Sequence, residues 1–256
     1  MTDSNRPGFR AALSNRTMQM TLGAFAFAIA AAGTALAMQG GGGAVAASDK
    51  VAIEKIVHDY ILEHPEIIPQ AIEKLQARRM ESTIEANRGA LETPYAGAWE
   101  GAAKGDVTIV EFFDYACGYC RASLPDLAKL VGQDRNLKIV YRELPILSEE
   151  SNDAAKVSLL AAERGQYMPF HRALYDAGRV TRDTILASAA KVGINKADAE
   201  TAIASGKYDG EIASNIALAQ KLQATGTPAF VIGKQVMNGA AGYDALKAAV
   251  DAARAK

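Results

Sequence analysis

The sequence predicts an α/β protein whose sheet is interrupted by a long helical insertion. Two short apolar runs, 107–113 and 137–143, are rich in β-branched and aromatic residues and indicate buried strands with a helix between them. Residues 151–225 carry only helical signals, and strand character returns at residues 228–232. Because a strand–helix–strand order with short links favours parallel pairing, we expect an α/β core with a helical subdomain inserted at about 150–225.

Three further segments complete this domain. Residues 93–104 are rich in Gly, Pro and Ala and predict a connector, while residues 235–237 predict a last short strand. The amphipathic run 243–254 predicts a closing helix. We therefore assign residues 93–256 to one α/β domain.

The composition is that of a globular protein without a strong charge bias. The chain has 256 residues, of which 49% are hydrophobic, and 28 Lys and Arg against 29 Asp and Glu leave a net charge of -1. This balance argues against a nucleic-acid partner and against an acidic tail. With only two cysteines in the chain, a scaffold built on several disulfides is excluded.

The first 47 residues predict a targeting segment. Three arginines precede an uncharged, Ala-rich stretch from Thr17 to Ser48, as in a signal peptide with candidate cleavage sites after Ala37 and Ala46. The alternative is an uncleaved membrane anchor, since Met20 to Met38 approaches the roughly 20 residues that a spanning helix needs. Either reading places the remaining chain outside the cytoplasm, where disulfides form.

Residues 48–92 predict a helical segment in two parts. Asp49 is a candidate cap for a first helix, Pro65 and Pro69 interrupt the pattern, and a second helix follows. Both helices carry apolar residues at helical spacing: Ile53, Ile56, Val57, Tyr60, Ile61, Ile68, Ile72 and Leu75. This stripe either packs on the following domain or faces another copy of the chain, which would make a homo-oligomer through residues 49–90.

The pair Cys117 and Cys120 carries the clearest chemistry. The motif Cys117-Gly118-Tyr119-Cys120 lies where a buried strand ends and a helix begins. Backbone N–H groups and the dipole at a helix N-terminus favour the thiolate form of the first cysteine. Cys117 would then form a mixed disulfide with a substrate, and Cys120, one turn later, would resolve it. Such exchange between sulfur atoms needs no cofactor.

Other uses of two cysteines stay open. A zinc site needs four ligands or three plus water, but the chain has no further cysteine, and its only histidines are His58, His64 and His171. A Cu(I) ion can be held by two thiolates, so a copper-binding or copper-carrier protein is the alternative function. A structural disulfide that closes so short a loop would add little stability.

Five stretches resemble DsbA-like periplasmic thiol oxidoreductases, which have the thioredoxin fold. In order, four of them are VTIVEFFDYACGYC at 107–120, YRELPIL at 141–147, FHRALYD at 170–176 and TGTPAFVIG at 225–233. The fifth, HDYILEHPEIIPQAIEKLQ at 58–76, is similar to the N-terminal helical domain of ScsC-like members, a group linked to copper resistance. The resemblance implies a thioredoxin fold with an inserted helical subdomain and a preceding helical segment.

The resemblance also implies roles for residues outside the cysteine motif. Thr227-Pro228 matches a cis-proline loop that, with Gly118 and Tyr119, would bind substrate beside the cysteines, although from the residues alone Pro228 indicates only a strand start. Glu111 matches an acidic residue beneath the active site that would relay the Cys120 proton; the alternative is a surface carboxylate. His171 matches a recurrent helix position where we expect packing rather than catalysis.

One departure from the family pattern bears on the direction of the reaction. Strong DsbA oxidants carry Pro-His between the cysteines, whereas Gly118-Tyr119 stands here and is similar to the dipeptide of disulfide isomerases. We therefore expect a disulfide that is less oxidising than theirs. An oligomer would favour isomerase activity, and a monomer would favour dithiol oxidase activity.

The expected partners are exported cysteine-containing proteins and a membrane redox partner.

Overall fold

The computed structural model describes residues 47–255, so the predicted targeting segment lies outside the described residues apart from Ala47. The described chain forms two compact units, divided between Ile68 and Pro69. Within residues 47–255, no helix is both long enough and apolar enough to cross a membrane.

The first unit contains helix α1, Ala47–Glu63, and the start of helix α2, Ile67–Glu92. The break between them at Pro65 confirms the predicted interruption, and Pro69 falls in the first turn of α2, where a missing N–H is tolerated. Asp49 lies in the first turn of α1 rather than at its cap. Most of the predicted stripe is exposed, with 67% of Ile56 and 54% of Tyr60 open to solvent, whereas Ile61 is half-buried.

The second half of α2 belongs to the second unit. Ile84 and Leu91 are each only 1% exposed and pack with Val110 and Phe112 of the sheet. The boundary between the compact units therefore precedes most of α2, whereas the sequence places the whole segment 48–92 apart from the domain. Whether 48–92 acts as a separate domain stays a prediction.

The second unit is built on a five-stranded sheet in the order β1–β3–β2–β4–β5. Its strands are β1 (Trp99–Gly101), β2 (Val107–Phe113), β3 (Leu137–Glu143), β4 (Ala229–Ile232) and β5 (Gln235–Asn238). Strands β2 and β3 pair in parallel around helix α3, Gly118–Gln133, as predicted. The other pairings are antiparallel. Strand β1 lies inside the stretch that the sequence analysis assigns to a connector. The sequence does not show this strand because three residues are too few for a strand pattern.

The predicted helical insertion comprises helices α4 to α8, and helix α9 follows β5. Their bounds are α4 (Glu149–Glu163), α5 (Tyr167–Asp176), α6 (Arg182–Lys191), α7 (Lys196–Ala204), α8 (Asp209–Lys221) and α9 (Tyr243–Arg254). Successive strand residues point to opposite faces of the sheet. Ile109 and Phe113 pack with α3, α9 and the insertion, while Val110 and Phe112 pack with α2 and the end of α8. The fold is the predicted α/β thioredoxin fold with a helical insertion.

Arg142 of β3 joins α2 to the sheet. Its guanidinium is buried and donates hydrogen bonds to the carbonyl oxygens of Ala90, Leu91 and Thr93, where α2 ends. It also pairs with Glu211 of α8, with 3.0 Å between Nη1 and Oε1. Since the last carbonyls of a helix lack intrahelical donors and carry partial negative charge, this cation satisfies and stabilises the C-terminus of α2.

We predict that Arg142→Met lowers the free energy of unfolding by about 3 kcal/mol, because it leaves a charged partner and helix carbonyls without their donor. Urea denaturation checks this. Arg135→Met is the matched control, since Arg135 is exposed and the same replacement there should change stability by less than about 0.5 kcal/mol. Equal effects of the two replacements would contradict the role given to Arg142.

Candidate active site

Cys117 is the N-cap residue of α3 and sits at the end of the turn that follows β2. Its backbone is extended, at φ -80° and ψ 114°, and its sulfur accepts a hydrogen bond from the backbone N–H of Cys120 at 3.4 Å. Both cysteines are free thiols in this structure, and they are 5% and 1% exposed. The structure therefore puts one sulfur at the helix N-terminus and the other behind it.

The peptide bond between Thr227 and Pro228 is cis. This agrees with the resemblance and not with a simple proline at a strand start. The thiol of Cys117 donates a hydrogen bond to the carbonyl oxygen of Thr227 at 3.2 Å, so the loop before β4 lies directly against the first cysteine. Gly118 and Tyr119 lie on the solvent side of the same sulfur, and 71% of Tyr119 is exposed.

Glu111 is a buried carboxyl group, only 1% exposed, and not the surface carboxylate that the sequence leaves open. It lies on the same face of β2 as Ile109 and Phe113, the face that packs with the cysteines. Its Oε2 atom has no hydrogen-bond partner. Burial, with smaller contributions from the charges of Glu100 and Cys117, raises the pKa of Glu111 well above the usual range, so the neutral form is favoured.

Cys120 shares this environment. Burial is the main cause that raises the pKa of the Cys120 thiol, and the neighbouring charge of Glu111 raises it further. The protonated form of Cys120 is therefore favoured both by its burial and by the charge of Glu111. Glu111 is the carboxyl group whose charge acts on the pKa of Cys120, so it is the candidate partner for a proton that Cys120 takes up or releases.

His171 lies inside an aromatic layer below the turn. Its Nδ1 atom is 3.1 Å from the hydroxyl of Tyr115, and its ring packs against Phe113, Tyr141 and Tyr167. Burial lowers the pKa of His171 to about 3, so the ring stays neutral. The structure agrees with the packing role that the sequence analysis assigns to it.

Two buried acids were not singled out from the sequence. Asp114 and Glu143 follow the apolar parts of β2 and β3, and both are nearly inaccessible to solvent. Glu143 accepts a hydrogen bond from Tyr167 at 3.4 Å, and burial raises its pKa well above the usual range. In the sequence, an acidic residue at the end of an otherwise apolar run is a signal for a buried acid. The run does not show where the acidic side chain points.

Metal ligands are few around the pair. Within residues 47–255, no group of three or more His, Cys, Asp or Glu side chains is arranged to hold a metal ion. The donors at the site are the two sulfur atoms, which match a soft ion such as Cu(I) better than zinc.

Two family models match the chain. The DSBA-like thioredoxin domain matches residues 108–251, and the N-terminal domain of the copper resistance protein ScsC matches residues 49–81. The second match covers α1 and the first part of α2. The chain also matches two curated relatives, Na⁺/H⁺ antiporters of the NhaA type from Salinispora tropica and Salinispora arenicola, with 26% and 25% identity. It spans only about 28% of the length of each antiporter.

Solved structures agree with the first match. A thioredoxin-like oxidoreductase from Silicibacter pomeroyi is 40% identical, with a TM-score of 0.63 over 66% of this chain and 99% of that chain. The thiol-disulfide exchange protein α-DsbA2 from Wolbachia pipientis is 28% identical, with a TM-score of 0.62 over 70% and 97%. A periplasmic thioredoxin-like protein from Salmonella enterica is also 28% identical, with a TM-score of 0.59 over 66% and 96%.

The burial of Glu111 predicts a pH-dependent stability. Since its pKa is higher in the folded chain, the folded state keeps a proton that the unfolded state loses above the ordinary glutamate pKa of about 4.3. The free energy of unfolding therefore falls as the pH rises from the ordinary glutamate pKa toward the higher pKa of Glu111 in the folded chain. Glu111→Gln removes this titration, so the variant should be more stable than the wild type at pH 7, and its advantage should shrink by about 1.4 kcal/mol per pH unit on acidification.

Denaturant unfolding at several pH values between 4 and 8 measures this difference. Glu73→Gln is the matched control, because Glu73 is exposed and its replacement should leave the pH profile unchanged. A difference between Glu111→Gln and wild type that does not vary with pH would contradict the account.

Proposed function

Because the chain belongs to the DSBA-like thioredoxin family of thiol–disulfide oxidoreductases, we propose that it forms or rearranges disulfide bonds in exported proteins through Cys117 and Cys120. One observation carries this proposal: the Cys117 sulfur caps α3 and contacts the Thr227 carbonyl, while Cys120 is buried behind it. The first sulfur is therefore the one that a substrate can reach.

In the oxidising direction, a substrate thiolate attacks Cys117 in the Cys117–Cys120 disulfide. A mixed disulfide forms, the bond between the two cysteines breaks, and Cys120 leaves with the electron pair and takes up a proton. A second substrate thiolate then attacks the substrate sulfur of the mixed disulfide and releases Cys117 as a thiolate. The substrate is oxidised to a disulfide, and the protein is reduced to its dithiol form.

In the isomerising direction, the Cys117 thiolate attacks a substrate disulfide and frees a substrate thiolate, which attacks elsewhere in the substrate. Backbone N–H groups at the start of α3 stabilise the thiolate, as the hydrogen bond from Cys120 N–H to the Cys117 sulfur illustrates. When Cys120 takes up a proton in the oxidising direction, Glu111 relays it. The burial of both groups and the effect of the Glu111 charge on the Cys120 pKa support this role.

The substrate backbone lies beside the sulfur, between Gly118-Tyr119 and Thr227-Pro228. Exposure of Tyr119 and the contact between Cys117 and Thr227 support this placement. Main-chain pairing with the loop at Thr227-Pro228 does not itself depend on the substrate's side chains, which suits an enzyme for many exported proteins.

The protein acts in the periplasm, with a membrane redox partner that restores its oxidation state. The uncharged segment before Ser48 supports export, and the similar Salmonella protein is periplasmic.

The protein is a homo-oligomer joined through residues 49–90. In α1, large apolar side chains are exposed at Val51, Ile53, Ile56, Val57, Tyr60 and Leu62. Such a concentration on one short helix is typical of an interface. Together with Gly118-Tyr119 in place of Pro-His, an oligomer favours isomerase activity over dithiol oxidase activity.

The match of residues 49–81 to a copper resistance protein domain favours a second candidate function, a copper carrier that uses the same two thiolates. The two candidates differ in what happens at the sulfur atoms. An oxidoreductase exchanges disulfides without retaining metal, whereas a carrier keeps Cu(I) through mild purification and loses it with Cys117→Ser.

We predict different effects of removing each cysteine. Cys117→Ser should lower disulfide exchange by at least about a thousandfold, since the attacked sulfur is lost. With a disulfide-bonded substrate, Cys120→Ser should instead accumulate a mixed disulfide between Cys117 and the substrate, because Cys117 attacks the substrate disulfide and the protein has no second thiol to resolve the product. Non-reducing gels and mass spectrometry measure the covalent complex. A complex formed by Cys117→Ser and not by Cys120→Ser would contradict the assignment.

We predict that Ile56→Lys dissociates the oligomer, because it places a charge in the apolar face of α1. Analytical ultracentrifugation measures the mass, and refolding of a scrambled-disulfide protein measures the accompanying loss of isomerase activity. His58→Lys, on the same helix at another exposed position, is the control and should keep the wild-type mass. A point substitution is preferable to truncation at Thr93, which would also remove the buried Ile84 and Leu91. A wild-type monomer would contradict the prediction.

A further inference from the structure

Asp114, the first residue after β2, has a buried carboxylate that accepts four hydrogen bonds. One oxygen accepts from the backbone N–H of Ala116 at 2.8 Å and from the hydroxyl of Ser151 at 2.6 Å. The other accepts from the backbone N–H groups of Ile146 and Leu147 at 2.8 and 2.9 Å. The side chain thus joins the turn before Cys117, the loop after β3 and the start of α4.

The backbone of Asp114 contacts the redox pair as well. Its carbonyl oxygen accepts from the backbone N–H of Cys117 and from the hydroxyl of Tyr175, each at 3.0 Å. Both carboxylate oxygens and the carbonyl oxygen of this residue are therefore engaged within the active-site turn or in the segments that flank it.

A carboxylate is the side chain that this position requires. An ionised Asp offers about four acceptor sites and no donor, and here four N–H or O–H groups occupy them. In Asn, an NH₂ group would replace one of the two carboxylate oxygens and face the two donors that this oxygen now accepts from. At least one of those donors is a backbone N–H, which cannot accept a hydrogen bond. Asn would therefore leave a buried donor unpaired and disturb the turn.

The loop held by Asp114 is an exposed apolar surface. Among the residues described after Leu75, large apolar side chains are exposed at Tyr119, Ile146 and Leu147. Cys117 itself is only 5% exposed, so a polypeptide whose cysteine reaches it must touch the surrounding surface. Ser148, directly after the loop, and Gly118, between the cysteines, line one groove.

We propose that Asp114 is a positioning residue of thiol–disulfide exchange, which fixes the turn carrying Cys117 and the apolar loop Pro145–Leu147 in one arrangement around the substrate chain. The loop then contacts an apolar side chain beside the substrate cysteine. This proposal rests on the proposed exchange function and adds to it a residue that sets both the position of the sulfur and the contact with a polypeptide.

The test compares two substrates with the full-length oxidised protein. Dithiothreitol is a small dithiol with no side chain to contact the loop, and the second substrate is a reduced two-cysteine peptide with leucine beside one cysteine. Asp114→Asn should lower the rate of peptide oxidation roughly 10- to 100-fold, as expected for a misplaced reacting group, and that of dithiothreitol by a smaller factor. Rates are measured well below the melting temperature and expressed per folded molecule.

A second pair of variants guards against misfolding of Asp114→Asn. Ser151→Ala removes one of the four donors and leaves the carboxylate, so it should lower peptide oxidation in the same direction but less. Ser188→Ala is the matched control: Ser188 is equally buried, and its hydroxyl donates to Ala173 in the insertion, away from the cysteines. It should keep the wild-type rate with both substrates.

The outcomes separate this inference from the proposed function. Wild-type protein that oxidises neither substrate would overturn both. If the wild type is active, three results would overturn the positioning role alone. The first is an unchanged rate per folded Asp114→Asn molecule, and the second is an equal loss of rate on the two substrates. The third is an equal loss for Ser151→Ala and Ser188→Ala.

Discussion

The burial of one face of β2, in the same core that holds both cysteines, is the constraint on which the rest of the site depends. Ile109 and Phe113 of that face are fully buried, and this fixes the strand end from which the turn to Cys117 begins. Because side chains alternate along a strand, the same packing directs Glu111 into the interior beside the cysteines. Burial of this one strand face therefore helps to place a thiol at a helix N-terminus and an acid beside it.

The site retains buried polar groups that a core built only for stability would avoid. Glu111 Oε2, His171 Nε2 and Thr227 Oγ1 are buried without hydrogen-bond partners, as is Arg142 Nε outside the site, and each such atom costs about 1–3 kcal/mol. The aromatic layer around His171 and the apolar contacts of the insertion offset this cost. Unpaired groups concentrated beside a reactive pair are typical of functional sites, where local stability is given up for chemistry. Asp114 is the opposite case, a buried acid whose acceptor sites are all used.

The sequence predicts most of the fold because its strands are short, apolar and well separated. The limits of β2, β3 and α9 are those predicted, and the cysteine motif lies at the predicted strand–helix junction. Other features depend on contacts between distant segments. The end of α2 is polar on average, and only packing against the sheet shows that Ile84 and Leu91 are core residues. The burial of Glu111, the contacts of Asp114 and the capping of α2 by Arg142 could not be deduced for the same reason.

The central claim is that Cys117 and Cys120 form one redox pair. It is tested most directly by equilibrating the protein in glutathione buffers of increasing potential, trapping the thiols and measuring the masses of the products. The account predicts one two-electron transition to an intramolecular disulfide, at a potential below the roughly -120 mV of a strong DsbA oxidant. Two cysteines that stay reduced in oxidising buffer, or that each take up glutathione independently, would contradict it.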